Sequence, residues 1–212
     1  MNKKYITEFI GTFFLAITVA LSSNPLAVGG ILAGLIYMGY PTSGAHYNPA
    51  TTVAVWIQKL ITPAQAGFYI LTQVIAVACA SLVFHLIYGS TRIFFLSPDI
   101  RINIFKPLFI EAMFTFALMM VILYTAVAKK ASGNQYYGLA IGLVVMGFGY
   151  AGSYISGGVY NPALGVVPIL METVLGVCQC HPINYSWIYL LGPLSGAVAA
   201  GLLFRYVYKE EV

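Results

Sequence analysis

The sequence predicts an all-α membrane protein: a bundle of six transmembrane helices plus two re-entrant half-helices, built as an inverted repeat. Three observations carry this. The chain of 212 residues is 60% hydrophobic and only 8% charged, with a mean hydropathy of +0.86. A water-exposed domain carries roughly a quarter charged residues, so the solvent here is lipid. Six apolar stretches approach the ~20 residues that a helix needs to cross ~30 Å of hydrocarbon. Two shorter apolar runs each follow an Asn-Pro-Ala, and the two halves that contain them resemble each other.

The first span covers about residues 5–23. Lys3 and Lys4 ahead of an apolar run imitate a secretory leader, but Glu8 interrupts the run and no small-residue cleavage site follows. The second, about 26–41, is bracketed by Pro25 and Pro41, which leaves its ends open; the third covers about 65–88, and the last three about 107–128, 136–155 and 185–207. Gly30 with Gly34, Gly138 with Gly142 and Gly192 with Gly196 place small residues four apart, a spacing that lets helix backbones approach closely. If both termini are cytoplasmic, Lys3, Lys4, Lys59, Lys129, Lys130, Arg205 and Lys209 lie inside, against Arg92, Arg101 and Lys106 outside. That bias follows the positive-inside rule. It accounts for the net charge of +4 without a nucleic-acid partner, which would need a basic stripe.

The two short runs, 49–58 and 162–171, are about ten residues each. A ten-residue helix rises ~15 Å, half of the hydrocarbon core. Each run opens on the same motif, Asn48-Pro49-Ala50 in "SGAHYNPA" and Asn161-Pro162-Ala163 in "SGGVYNPA". Asn is a strong N-cap, and Pro suits the first helical position, where its missing N–H costs nothing. Two half-helices starting there would meet at the midplane with their positive ends facing each other, which disfavours cations and protons but admits neutral hydrogen-bonding solutes. With each Asn oxygen held by backbone N–H groups, each NH₂ is left to donate into a lumen. The preceding backbone, at Gly44, Ala45, His46 and Tyr47 and at Gly157, Gly158, Val159 and Tyr160, is irregular inside the membrane. Such backbone is tolerated where it lines a wet cavity or is buried in protein, so its carbonyls form a ladder of acceptors leading to Asn48 and Asn161.

A single chain domain, 1–212, therefore divides into repeat one (about 1–104) and repeat two (about 105–212). Each repeat places a Glu early in its first span, Glu8 or Glu111, and reaches its Asn 40 or 50 residues later. Three spans per repeat invert the second relative to the first, an arrangement common in transport proteins. An intramembrane carboxylate is a functional candidate; the symmetric placement of Glu8 and Glu111 favours structural support of the re-entrant loops. His46 either lines the lumen or braces its loop, and His85 is an interface residue near a span end.

On "EFIGTF" at Glu8, "SGAHYNPA", "SGGVYNPA", Glu111 and "GPLSGA" at 192–197, the chain resembles the aquaporins, the major intrinsic protein family of water and glycerol channels. The resemblance covers nearly the whole chain. It implies a right-handed bundle, a homotetramer with one pore per subunit, and passive permeation. The family usually has an Arg directly after the second Asn-Pro-Ala, in an outer filter; here that position is Leu164. The other filter positions, matched by spacing, are Val28, Gly149 and Gly158, where many water-selective members have an aromatic residue and a His at the first two. The expected filter is therefore wide and apolar, open to glycerol, urea and ammonia alongside water. Arg92 or Arg101 folding over the mouth is an alternative source of the missing charge. The closest pattern is that of divergent aquaporins with Leu after the second motif.

The expected function is a passive channel for water and small neutral solutes in a lipid bilayer. A proton-coupled carrier and a non-conducting structural membrane protein are the alternatives. No cofactor or metal is expected: Cys178, Cys180 and His181 form one ligand cluster without the second pair that a closed site requires. An enzyme is not indicated, since Ser156 precedes a Gly but no recognisable hydrolase motif surrounds it. Without an organelle address, a plasma or inner membrane is the default, with both termini cytoplasmic.

Overall fold

The computed structural model describes residues 2–89, 94, 97–99, 103–176 and 182–211. All regular structure among them is helical: α1 (Lys3–Leu21), α2 (Pro25–Ser43), α3 (Pro49–Ile57), α4 (Pro63–Tyr88), α5 (Phe105–Ile122), α6 (Tyr137–Ser156), α7 (Pro162–Val174) and α8 (Ser186–Val207). Six of these segments are long and apolar enough to span a membrane; α3 and α7 are the short ones. At 1.5 Å per residue, the nine residues of α3 and thirteen of α7 rise roughly 14 and 20 Å. Their N-termini touch and the helices run apart.

Local sequence explains the ends. Asn24, Asn48 and Asn161 cap α2, α3 and α7, each followed by Pro at the first helical position. Thr62 and Gln65 form a capping box at α4, satisfying two orphan N–H groups reciprocally. Helix α2 runs through Pro41 to Ser43, beyond the expected end at 41; two residues from the end, Pro disturbs little of the ladder. Helix α5 ends in a π-turn, Leu123–Val127. It closes with the Ala128 N–H donating to the Leu123 carbonyl at 2.9 Å.

Packing follows a two-fold pattern. Helix α1 packs on α2 and α4 as α5 packs on α6 and α8; α3 packs on α4 and α8 as α7 packs on α8 and α4; α2 and α6 cross each other. The two halves of the chain thus make matching contacts, and each half-helix is covered by α4 and α8 together. Glycine makes the α2–α6 crossing possible. A Cβ at Gly142 would lie 2.4 Å from the Gly29 carbonyl oxygen and 2.8 Å from Ala33 Cβ. The contact face of α2 is thus Gly29 and Ala33, not the expected Gly30 and Gly34, beside which space is open. Gly192 and Gly196 do pack closely, against Glu111 and Ala112 of α5.

The crossing gives a first prediction. In Gly142→Val the obstacle is backbone, which cannot swing aside, so destabilisation should exceed the ~1–3 kcal/mol of ordinary overpacking. Gly34→Ala should be neutral. Thermal unfolding in detergent, followed by intrinsic fluorescence, compares the two; equal midpoints would refute the assigned face.

Candidate functional site

The two re-entrant loops converge at the centre of the bundle, and each is held by a buried carboxylate. Glu8 on α1 accepts from Ser43 Oγ (2.7 Å), His46 N (2.9 Å), Tyr47 N (2.8 Å) and Gln73 Nε2 (2.9 Å). Glu111 on α5 accepts from Ser156 Oγ (2.7 Å), Val159 N (3.0 Å) and Tyr160 N (2.7 Å). Both are completely buried. Their donors include the backbone of residues at positive φ: Tyr47 and Tyr160 each at +50°. For a non-glycine residue that conformation costs about 1–2 kcal/mol, which the hydrogen bonds offset. Tyr69 and Tyr189 brace the same loops from outside, their hydroxyls donating to Ser43 O (2.7 Å) and Ser156 O (2.6 Å), while the loops' own Tyr47 and Tyr160 reach out to Leu35 O (3.0 Å) and Phe148 O (2.9 Å).

At the meeting point the two asparagines clasp. Asn48 Oδ1 accepts from Ala50 N at 2.8 Å, and Asn161 Oδ1 accepts from Ala163 N at 3.1 Å and Leu164 N at 3.4 Å. Asn48 Nδ2 donates to the Tyr160 carbonyl (2.9 Å), and Asn161 Nδ2 to the Tyr47 carbonyl (3.0 Å). One hydrogen of each NH₂ therefore closes a cross-loop bond rather than facing the lumen; the second remains available.

A cavity of about 410 Å³ passes this point. Pro25, Val28, Leu32, Ile36 and Tyr40 of α2 line it, as do Ile141, Val145, Gly149 and Ser153 of α6. Those spacings of three and four are one helix face, followed from the first turn of α2 to its last, roughly 22 Å at 1.5 Å per residue. The cavity is thus an elongated tube. Asn48 and Asn161 both line it, with Gly44, His46, Tyr47, Gly157, Gly158, Val159 and Tyr160; Ala45, Ala50 and Ala163 pack into the core instead, and Pro49 and Pro162 are buried at the helix starts. Among the described residues, no Lys, Arg, Asp or Glu lines it. His46 both lines the cavity and braces its loop, through Nδ1 to Thr52 Oγ1 at 3.1 Å and its ring against Tyr69.

Val28, Gly149, Gly158 and Leu164 all line the tube at the end opposite the chain termini. There the space beside Gly149 is filled: a Cβ would lie 2.7 Å from Pro25 Cβ. The wall at this position is the Pro25 ring. Arg92, Arg101, Cys178, Cys180 and His181 lie outside the described residues.

Sequence reasoning missed Gln73, Pro25 and Glu172. Glu172 is a third buried carboxylate, accepting from Phe94 N at 2.6 Å and lying 3.1 Å from His85 Nε2. It ties the connection between α4 and α5 to the far end of α7. An acidic residue directly at the end of the apolar run after the second motif was the available signal.

The major intrinsic protein family model matches residues 1–204. The chain is 32% identical to aquaporin AqpM of Methanothermobacter thermautotrophicus, over 99% of both chains. It is 30% identical to glycerol uptake facilitator protein-like 6 of Lactiplantibacillus plantarum, over 99% of this chain and 100% of that one. The X-ray structure of the aquaglyceroporin from Plasmodium falciparum superposes with a TM-score of 0.84 at 19% identity, covering 97% and 96% of the two chains; that likeness concerns the fold.

Proposed function

The chain belongs to the major intrinsic protein family and is a multi-pass membrane channel, not an enzyme; from that premise we propose that it conducts water and small neutral solutes, such as glycerol, urea and ammonia, passively. The observation that carries the proposal is the uncharged tube past the Asn48–Asn161 clasp. The N-termini of α3 and α7 both point at it, and their dipoles oppose cations and protons there. Permeant molecules take hydrogen bonds from the remaining Asn48 and Asn161 N–H groups and give them to loop carbonyls. The outer constriction is formed by Val28, Gly149, Gly158 and Leu164, with the Pro25 ring closing the wall beside Gly149. Without a fixed charge at Leu164, solutes with carbon skeletons meet an apolar wall.

Proton coupling is disfavoured by the carboxylates themselves. Glu8 and Glu111 are fully buried, and both oxygens of each accept from the loops. We place both termini in the cytoplasm of a plasma or inner membrane and expect a homotetramer with one pore per subunit.

The test is stopped-flow light scattering of proteoliposomes challenged with a glycerol gradient. Fast shrinkage followed by fast reswelling is expected, and Leu164→Arg should slow the reswelling more than the shrinkage. No acceleration over empty liposomes would refute the channel reading. Equal glycerol rates in the two proteins would refute the assignment of Leu164.

A further inference from the structure

The chain-terminus end of the tube carries a second feature. A separate cavity of about 380 Å³ lies beyond it, lined by residues of the α5–α6 connection, among them Thr125, Lys129 and Asn134, and by Tyr137. The two cavities share two lining residues, Tyr40 and Ala126. These are hydrogen-bonded to each other: the Tyr40 hydroxyl donates to the Ala126 carbonyl.

Each side of this contact has a physical reason. The π-turn at the end of α5 leaves its last carbonyls without helical partners, since the chain turns extended at Ala128; such carbonyls seek donors elsewhere. Asn134 Nδ2 takes Thr125 O at 2.7 Å, and Tyr40 takes Ala126 O. The Tyr40 ring rests on Tyr137, with centroids 4.7 Å apart, and Tyr137 on Tyr37 at 5.3 Å. Tyr37 in turn donates to Gln135 O (2.9 Å) and accepts from Leu139 N (3.1 Å). Of the two residues that both cavities share, Tyr40 contributes the ring, which the Ala126 carbonyl holds at its hydroxyl and Tyr137 supports at its face. Short π segments of this kind frequently accompany functional sites.

We propose that Tyr40 is a permeability-determining residue: its ring, latched to the Ala126 carbonyl, partitions the tube from the inner chamber, and solutes pass when the latch opens. This rests on the channel reading above. The chamber then continues the path toward the terminus-side surface, and the tyrosine sets the fraction of time the path is continuous. A net hydrogen bond of ordinary strength shifts such a two-state population by roughly two- to tenfold.

The experiment compares wild type, Tyr40→Phe and Tyr40→Ala in proteoliposomes, with water permeability normalised to reconstituted protein. Tyr40→Phe keeps the ring and removes the latch, and should raise permeability by about twofold or more. Tyr40→Ala removes the partition and should raise it further. A merely structural tyrosine predicts the opposite sign, because lost packing lowers the functional fraction. Permeability unchanged or reduced in Tyr40→Phe, with a conducting wild type, overturns the latch and leaves the channel reading intact. Permeability no greater than that of empty liposomes in all three proteins overturns both.

Discussion

Replacing Glu8 by leucine is expected to destabilise the protein by more than about 3 kcal/mol. Four donors lose their acceptor at once: the Ser43 hydroxyl, the His46 and Tyr47 N–H groups and the Gln73 amide. A buried polar group left unsatisfied costs roughly 1–3 kcal/mol, and these lie where no bulk water replaces the carboxylate. Tyr47 loses the N–H bond that supports its positive φ, so the first loop should refold away from the centre. Glu111→Leu should act similarly through Ser156, Val159 and Tyr160. Glu8→Gln, which retains one acceptor oxygen but turns an NH₂ toward the two donors of the other, should fall between. Unfolding midpoints in detergent order the three variants. A Glu8→Leu midpoint matching wild type would mean that the carboxylate does not hold the loop.

The second large effect is expected at the clasp. In the double variant Asn48→Ala with Asn161→Ala, both helix caps and both cross-loop bonds disappear. Losing an N-cap typically costs ~1 kcal/mol, and the lost bond about as much again. Water permeability per reconstituted protein should fall at least roughly tenfold, the factor that about 1.4 kcal/mol represents. Asn161→Asp separates the two roles: it keeps the capping oxygen but sets an acceptor against the Tyr47 carbonyl. If Asn161→Asp conducts like wild type, the cap alone matters and the clasp is incidental.

How much of this was legible in the sequence depends on whether the information is local. The helix starts were, because Asn48-Pro49 and Asn161-Pro162 act within one turn. The six spans were, because length and apolarity alone set them. The face of α2 that meets α6 was not. That helix is apolar on nearly every side, so no alternation distinguishes Gly29 and Ala33 from Gly30 and Gly34. The roles of Gln73, Tyr69 and Tyr189 rest on partners 26 to 65 residues away, and the asparagine clasp on pairs separated by 112 and 114 residues. Symmetry predicted that Glu8 and Glu111 support the loops, but not which atoms they hold. The glycine at 149 reads as open space until Pro25, from another helix, is seen beside it. Tyr40 carries no motif at all, and its place follows from the π-turn that frees the Ala126 carbonyl.

The central claim is that solutes pass through the tube beside Leu164. Its most direct measurement is chemical block at that position. In Leu164→Cys, with Cys79, Cys178 and Cys180 replaced by alanine, water and glycerol permeability of proteoliposomes is recorded before and after a bulky thiol reagent, with labelling verified by mass spectrometry. The account predicts that labelling abolishes both permeabilities and that reductive removal of the adduct restores them. Undiminished permeability of the fully labelled protein would contradict it.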